Sequence, residues 1–350
     1  MSESLFQKRL KRFRSIKRGF YSLWILGGLY LLSFLNPLWI NQRAIFVSYQ
    51  GDWYFPALKA CFGTPTEASV FGQKVIGEPN YRKLKIIFNE ENQGNWLILA
   101  PYPFGPNENL LEEITGSPPT APDSKHWLGT DNRGRDVFAR LIYGFRISIT
   151  FALIVSFFSY LLGIVIGACL GYYGGLVDLV GQRFIEIVSG IPVLFTTMIL
   201  VSFMNPSFFM LCGVLVVLGG WIGQTYYMRG EFYREKAKDY ALSAIALGGS
   251  DFRVIFKHIL PNAMTPMITL IPFTIIGDIG ALVSLDFLGL GLPPPTPSWG
   301  ELLSQGTSDI HYWWLVTFPL LFLFITLIGI TFIGEAAREA FDPKKVSRLR

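Results

Sequence analysis

The sequence predicts an all-α, polytopic membrane protein of about six transmembrane helices, with an irregular extracytoplasmic insertion after the first. Three observations carry this. Apolar residues make up 51% of the 350 and charged residues only 16%. The apolar residues gather into runs long enough to cross a bilayer core of ~30 Å, which takes about 20 helical residues. The formal net charge of +5 comes from basic residues placed beside those runs, so it marks topology; no basic groove with interleaved aromatics points to nucleic acid.

Residues 1–18 form a basic tail in which Lys8, Arg9, Lys11, Arg12, Arg14, Lys17 and Arg18 face one acid, Glu3. The positive-inside rule then puts the N-terminus in the cytoplasm. The first span, 19–40, is too long for a signal-peptide core, and no small-residue cleavage site follows it. Residues 41–146 are thereby outside, with eleven basic and eleven acidic residues. Aromatic runs such as Trp53-Tyr54-Phe55-Pro56, and a stiff linker from Ser117 to Asp123 with three prolines, predict a small irregular or β-containing cap and interfacial segment.

The remaining spans fall at 147–172, 184–204, 207–228, 264–285 and 312–333, within a five-helix core over 147–336. Pro192, Pro266, Pro272 and Pro319 interrupt these runs, so freed backbone groups need neighbouring helices or water. Six crossings return the tail 337–350 to the cytoplasm, where Lys344, Lys345, Arg348 and Arg350 agree with the rule. Cys61, Cys169 and Cys212 imply no disulfide framework and are expected to be packing residues.

One polar loop, 229–262, divides the core. Ala237, Ala241, Ala244 and Gly248 recur at helical spacing and line a small-residue face that permits close approach of another surface. Gly248-Gly249 supplies a left-handed helix end, Ser250 or Asp251 caps a second helix, and that helix is expected to stop at Pro261. Lys236 is expected on the opposite, solvated side. Geometry alone leaves two readings open: a compact docking knob, or an amphipathic connector resting on lipid.

Elsewhere, Asp278 lies well inside the fifth span, where a carboxylate costs ~2.5–3.5 kcal/mol on insertion scales, so it is expected to face the bundle interior or a wet path. Arg183 and Glu186, three apart, are expected to pair structurally. His126, His258 and His311 fall on different sides and form no metal-ligand spacing. No Gly-x-x-x-x-Gly-Lys-Ser/Thr phosphate loop occurs, so nucleotide hydrolysis is expected on another chain.

Three stretches carry a resemblance. Asp239-Tyr240-Ala241-Leu242-Ser243-Ala244-Ile245-Ala246-Leu247-Gly248, with Pro261 thirteen residues on, resembles the "EAA" loop of ABC-importer permeases, although Leu242 and Ser243 replace the motif's glutamate and first alanine. His126-Trp127-Leu128-Gly129-Thr130-Asp131 with Gly134-Arg135-Asp136-Val137 and Arg140 to Ser148 is similar to the segment opening the permease domain of dipeptide and oligopeptide importers. It is read as an amphipathic stretch with Arg135, Arg140 and Arg146 near the outer head groups. Leu285-Asp286-Phe287-Leu288-Gly289-Leu290-Gly291 with Pro297-Ser298-Trp299-Gly300-Glu301 resembles the outer loop before the last span of the same permeases. Trp127, Asp286 and the outer aromatic run resemble the subgroup serving peptide and microcin C uptake.

The resemblance implies a type I ABC-importer permease fold and a transport subunit rather than an enzyme. It implies ATPase coupling through Tyr240, Ala241, Ala244, Leu247, Gly248, Asp251, His258, Leu260 and Pro261, with Asp278 and Asp286 in the path or at a subunit interface. The implied partners are a second homologous permease, ABC ATPase subunits, an extracytoplasmic peptide-binding protein and membrane lipid. This chain would carry no cofactor, ATP and Mg belonging to the ATPase. The alternatives are a permease for another small solute such as nickel, a passive channel or sensor subunit, and a membrane-embedded enzyme.

Overall fold

The computed structural model describes residues 5–341 except 74, 75, 115 and 205. The tail residues Lys344, Lys345, Arg348 and Arg350, and the acid Glu3, lie outside the described residues. The chain divides into two compact units, one drawn from residues up to Gly27, Ser148–Pro293 and from Leu323 onward, the other from Gly28–Ile147 and Pro294–Phe322.

Among the described residues three helices are long and apolar enough to cross a membrane: Val137–Tyr173, Asp251–Phe287 and Ile310–Phe341. Two bent pairs bring the number to five if each is one crossing: Gly175–Ser189 with Val193–Phe203, and Phe208–Gly220 with Ile222–Lys236, bent by 66° and 45°. The expected first span is the helix Lys17–Ser33 (α2), preceded by Leu5–Ser15 (α1). Its 17 residues make about 25 Å of helix at 1.5 Å per residue, short of a full core by itself. The first bend falls at Pro192, whose missing N–H cannot continue the ladder. The second falls at a π-turn over Val216–Gly220, where a Cβ on Gly220 would meet Ser159 Oγ at 2.4 Å.

In the first unit, close packing rests on glycine. Gly163, Gly167 and Gly171 recur every fourth residue on Val137–Tyr173 and lie against Ile222–Lys236; added Cβ atoms would stand 2.5 Å from Gln224 Cβ, 2.6 Å from Thr225 O and 2.6 Å from Phe232 Cβ. Such small-residue seams let two backbones approach where lipid offers no hydrophobic drive. The α2 helix meets the last helix in the same manner, Gly19 against Ala336 and Leu26 against Gly329. The contacts are seven residues apart on both helices in opposite directions, so the pair is antiparallel.

In the second unit the insertion is more ordered than expected. An antiparallel sheet of order β2-β1-β3 is formed by Ala44–Tyr49 (β1), Asp52–Tyr54 (β2) and Trp96–Leu99 (β3). Gln50 and Gly51 both have positive φ, 52° and 89°, the requirement of a tight two-residue hairpin whose twist matches the strands. Helix Tyr81–Glu91 starts on Asn80, whose side chain accepts the N–H groups of Arg82 and Lys83, and lays Tyr81, Leu84 and Phe88 on Ala44, Val47 and Leu97.

Candidate functional site

The polar loop folds into two helices across a glycine hinge. Helix Asp239–Ala246 ends with Gly248 at φ +79°, Gly248 N–H on Ile245 O at 2.9 Å and Gly249 N–H on Ala244 O at 3.0 Å. That pair of bonds is a Schellman end, which needs a left-handed residue and so a glycine. Ser250 Oγ then accepts the N–H of Arg253 and caps the next helix, as expected.

Three expectations are corrected. The second helix does not stop at Pro261; it runs as one helix from Asp251 to Phe287. A π-turn over Val254–Ile259 precedes the proline, which sits in the first turn of the following α-helical stretch, where a missing N–H costs little. The small-residue face is also taken up in part by this chain's own helices, with Gly248 left exposed. Ala241 is fully buried and Ala244 partly so, packed on Phe232, Val254, Ile255 and Ile259 of this chain, while Ala237 ends the preceding helix and is exposed. Nor is Lys236 solvated, since its Nζ donates to Tyr172 O and lies 4.7 Å from the Tyr172 ring centroid.

The outward face is apolar instead. Leu242, Ile245, Leu247, Phe252 and Phe256 are exposed, Leu247 by 88% and Phe252 by 72%, with the two phenylalanine rings 4.5 Å apart. Polar ties hold the knob from behind. Tyr172 Oη donates to Asp251 Oδ1 at 2.7 Å, Tyr240 Oη donates to Glu235 Oε2 at 2.8 Å, and Asn262 Nδ2 donates to His258 O at 3.0 Å. Burial, and then the Glu235 carboxylate, push the Tyr240 phenol up to about 12, so it stays a donor. Leu260 packs against the inner cluster, and Pro261 is exposed.

Of the two expected path residues, Asp278 accepts a hydrogen bond from Ser156 Oγ and is partly buried inside the first unit. Asp286 is buried and its Oδ1 accepts Leu292 N–H at 2.7 Å. A Cβ on Gly291 would meet that oxygen at 1.8 Å, so this carboxylate shapes the turn after its helix. Arg183 and Glu186 pair at 2.5 Å, as expected. Cys61 and Cys169 are exposed rather than packed inside the chain, and Cys212 is buried.

Most of the second family-like stretch and the Pro297 to Glu301 part of the third come together in the second unit. Arg135 and Arg140, expected at the head groups, are buried instead. Arg135 Nε donates to Asp131 Oδ2 at 2.7 Å and its Nη2 to Glu301 Oε1 at 2.9 Å; Arg140 Nη2 pairs with Glu301 Oε2. Two carboxylates balance two guanidiniums, which is why the cations are stable away from water. Arg146 remains nearer the surface over the Tyr143 ring. Trp299 Nε1 donates to Leu141 O at 3.0 Å, over Gly144, where a Cβ would stand 2.9 Å from the indole. His126 Nδ1 lies 2.9 Å from Asp136 Oδ2, which also accepts Tyr102 Oη at 2.6 Å.

Sequence reasoning passed over the seam Gly163, Gly167 and Gly171, although a small residue every fourth position in an apolar run was visible. It also passed over the exposed Leu247 and Phe252 as a pair.

Apolar helices long enough to cross a membrane, with a hinged two-helix knob between them, define a membrane-embedded helical protein. Residues 159–347 match the family described as "Binding-protein-dependent transport system inner membrane component". The chain is 43% identical over 340 residues to the inner membrane ABC transporter permease protein YejE of Escherichia coli strain K12, covering 97% of each chain. It is 37% identical to the peptidoglycan transport system permease protein YejE of Agrobacterium fabrum, covering 98% of this chain and 94% of that one. It is 34% identical to the dipeptide transport system permease protein DppC of Bacillus subtilis strain 168, covering 71% and 77%. The chain belongs to the binding-protein-dependent ABC-importer permeases of the inner membrane. Members of that family are transport subunits, with ATP hydrolysis on partner chains.

Proposed function

We propose that this chain is one of two homologous permease subunits of an ATP-driven importer of peptides or peptide-like compounds. In this reading an extracytoplasmic binding protein delivers the substrate, ATPase subunits dock beneath the knob, and both termini are cytoplasmic. ATP and Mg are bound by the ATPase, not by this chain. The relatives that transport dipeptides and peptidoglycan support the substrate class.

One observation carries the coupling: the exposed apolar patch of Leu247 and Phe252 belongs to a knob whose second helix is the membrane helix Asp251–Phe287 itself. An ATPase groove closing on that patch moves a rigid rod, and the rod's tilt opens the path between the permeases outward.

The test is reconstitution of the chain with a partner permease, ATPase subunits and binding protein that co-purify with it. ATP-dependent accumulation of a labelled tripeptide supports the reading. Accumulation of nickel but not of peptide would replace the substrate class, and solute flux without an ATPase would point to a channel.

A further inference from the structure

At the knob end of the first unit a cavity of about 530 Å³ is lined by four cations, Arg9, Arg234, Lys238 and Arg338, against one acid, Glu235. The charges are not neutralised evenly. Glu235 is nearly buried and takes Lys238 Nζ at 2.8 Å, and Arg234 bonds to Glu231. Arg9 donates to Thr265 Oγ1 at 3.3 Å and lies 5.1 Å from the Phe341 ring centroid. Neither Arg9 nor Arg338 has a carboxylate partner among the described residues. Their neighbours on the same two segments do, Arg12 with Glu339 at 3.8 Å and Arg18 with Glu335 at 3.0 Å.

Two guanidiniums that no described carboxylate compensates, facing one cavity, suit an anion. Each presents a planar fork of N–H donors that fits phosphate oxygens in pairs. Two forks with Lys238 and the Thr265 hydroxyl offer more donors than the two oxygens of a carboxylate accept, which favours a phosphate. Basic cavities between helix ends beside a basic helix are also where anionic headgroups bind.

We propose that this cavity binds a phosphate-bearing anion, held by Arg9 and Arg338, from either an anionic phospholipid headgroup or free phosphate. The inference does not depend on which solute the transporter carries.

The experiment titrates the full chain, purified with its partner subunits, with short-chain phosphatidylglycerol, short-chain phosphatidylcholine and inorganic phosphate, with binding read by native mass spectrometry. The unaltered chain should bind phosphatidylglycerol about tenfold more tightly than phosphatidylcholine, and Arg9→Gln with Arg338→Gln should bring the two near parity. Phosphate binding that is lost in the same variant assigns free phosphate as the source; its absence, with phosphatidylglycerol retained, assigns the lipid. Parity between the lipids in the unaltered chain without phosphate binding overturns the proposal, as does an advantage that survives the double substitution. Should that variant fail to fold, Thr269→Cys in a chain without its native cysteines provides a second reading. Phosphatidylglycerol or phosphate must slow maleimide labelling of the new thiol, and unprotected labelling overturns the site.

Discussion

Gly167 faces the carbonyl of Thr225 so closely that a Cβ built on it would stand 2.6 Å from the oxygen. Nothing in that seam can move without separating two membrane helices. Gly167→Leu is therefore expected to cost about 1–3 kcal/mol, the range typical of overpacking, and to lower the midpoint of thermal unfolding in detergent. Gly223→Ala, where no atom lies within 4 Å of the added carbon, should leave that midpoint unchanged or raise it. Equal effects at the two sites would refute the seam.

The inner and outer faces of the knob should separate in experiment. Ala241→Leu overfills a buried site and should lower the chain's own stability. Leu247→Asp changes an exposed residue, so stability should hold while ATPase co-purification and peptide uptake fall together. If Leu247→Asp transports at the normal rate, the exposed patch is not the docking surface. Gly248→Asp adds strain at a positive φ, about 1–3 kcal/mol, and should weaken both properties at once.

Glu301 is the shared partner of two buried arginines. Its replacement by Ala leaves two buried guanidiniums to share Asp131 alone, and breaking a buried pair typically costs about 3–5 kcal/mol. Glu301→Ala should accumulate poorly and be cleaved by external protease in spheroplasts, whereas Glu112→Ala, at an exposed pair with Lys83, should behave as the unaltered chain. Normal protease resistance in Glu301→Ala would remove the network from the list of stabilising features.

Acid should loosen the insertion first at helix Tyr81–Glu91. Burial would raise the Glu113 carboxyl, but bonds from Arg82 and Asn80 outweigh it and hold it below its ordinary range. A depressed carboxyl contributes stability above its unfolded value, and that contribution is lost as pH falls through the folded value. Hydrogen exchange across 81–91 should therefore accelerate, once corrected for intrinsic rates, below about pH 4. Arg82→Gln should show the faster exchange already at neutral pH; an unaltered profile would count against the assignment.

Asp278 separates charge from hydrogen bonding. Asp278→Asn can still accept from Ser156 Oγ, so the chain should assemble, while Asp278→Leu leaves that hydroxyl without its acceptor. Uptake that falls in both variants, with assembly normal in Asn, marks the charge as functional. Normal uptake by Asp278→Leu would remove the residue from the path.

The hinge was readable because a glycine pair after a helix has one common use, and Gly248 adopts it. The alanine stripe was legible as a period but not as a direction: small residues at helical spacing fit this chain's own helices as well as a partner's, and Ala241 turned inward. Pro261 misled because a proline forbids its own N–H bond, not a helix that has just changed to a π-turn. Arg135 and Arg140 looked interfacial because their partner Glu301 is more than 160 residues away, beyond any local pattern.

That separation also sets an order of events during synthesis. Arg140 emerges from the ribosome long before Glu301, and until the segment carrying Glu301 arrives the two guanidiniums of this network have Asp131 as their carboxylate partner. A fragment ending before residue 301 keeps both arginines and loses the carboxylate that bridges them, so one glutamate completes the charge balance of a site whose cations were laid down in the first half of the chain.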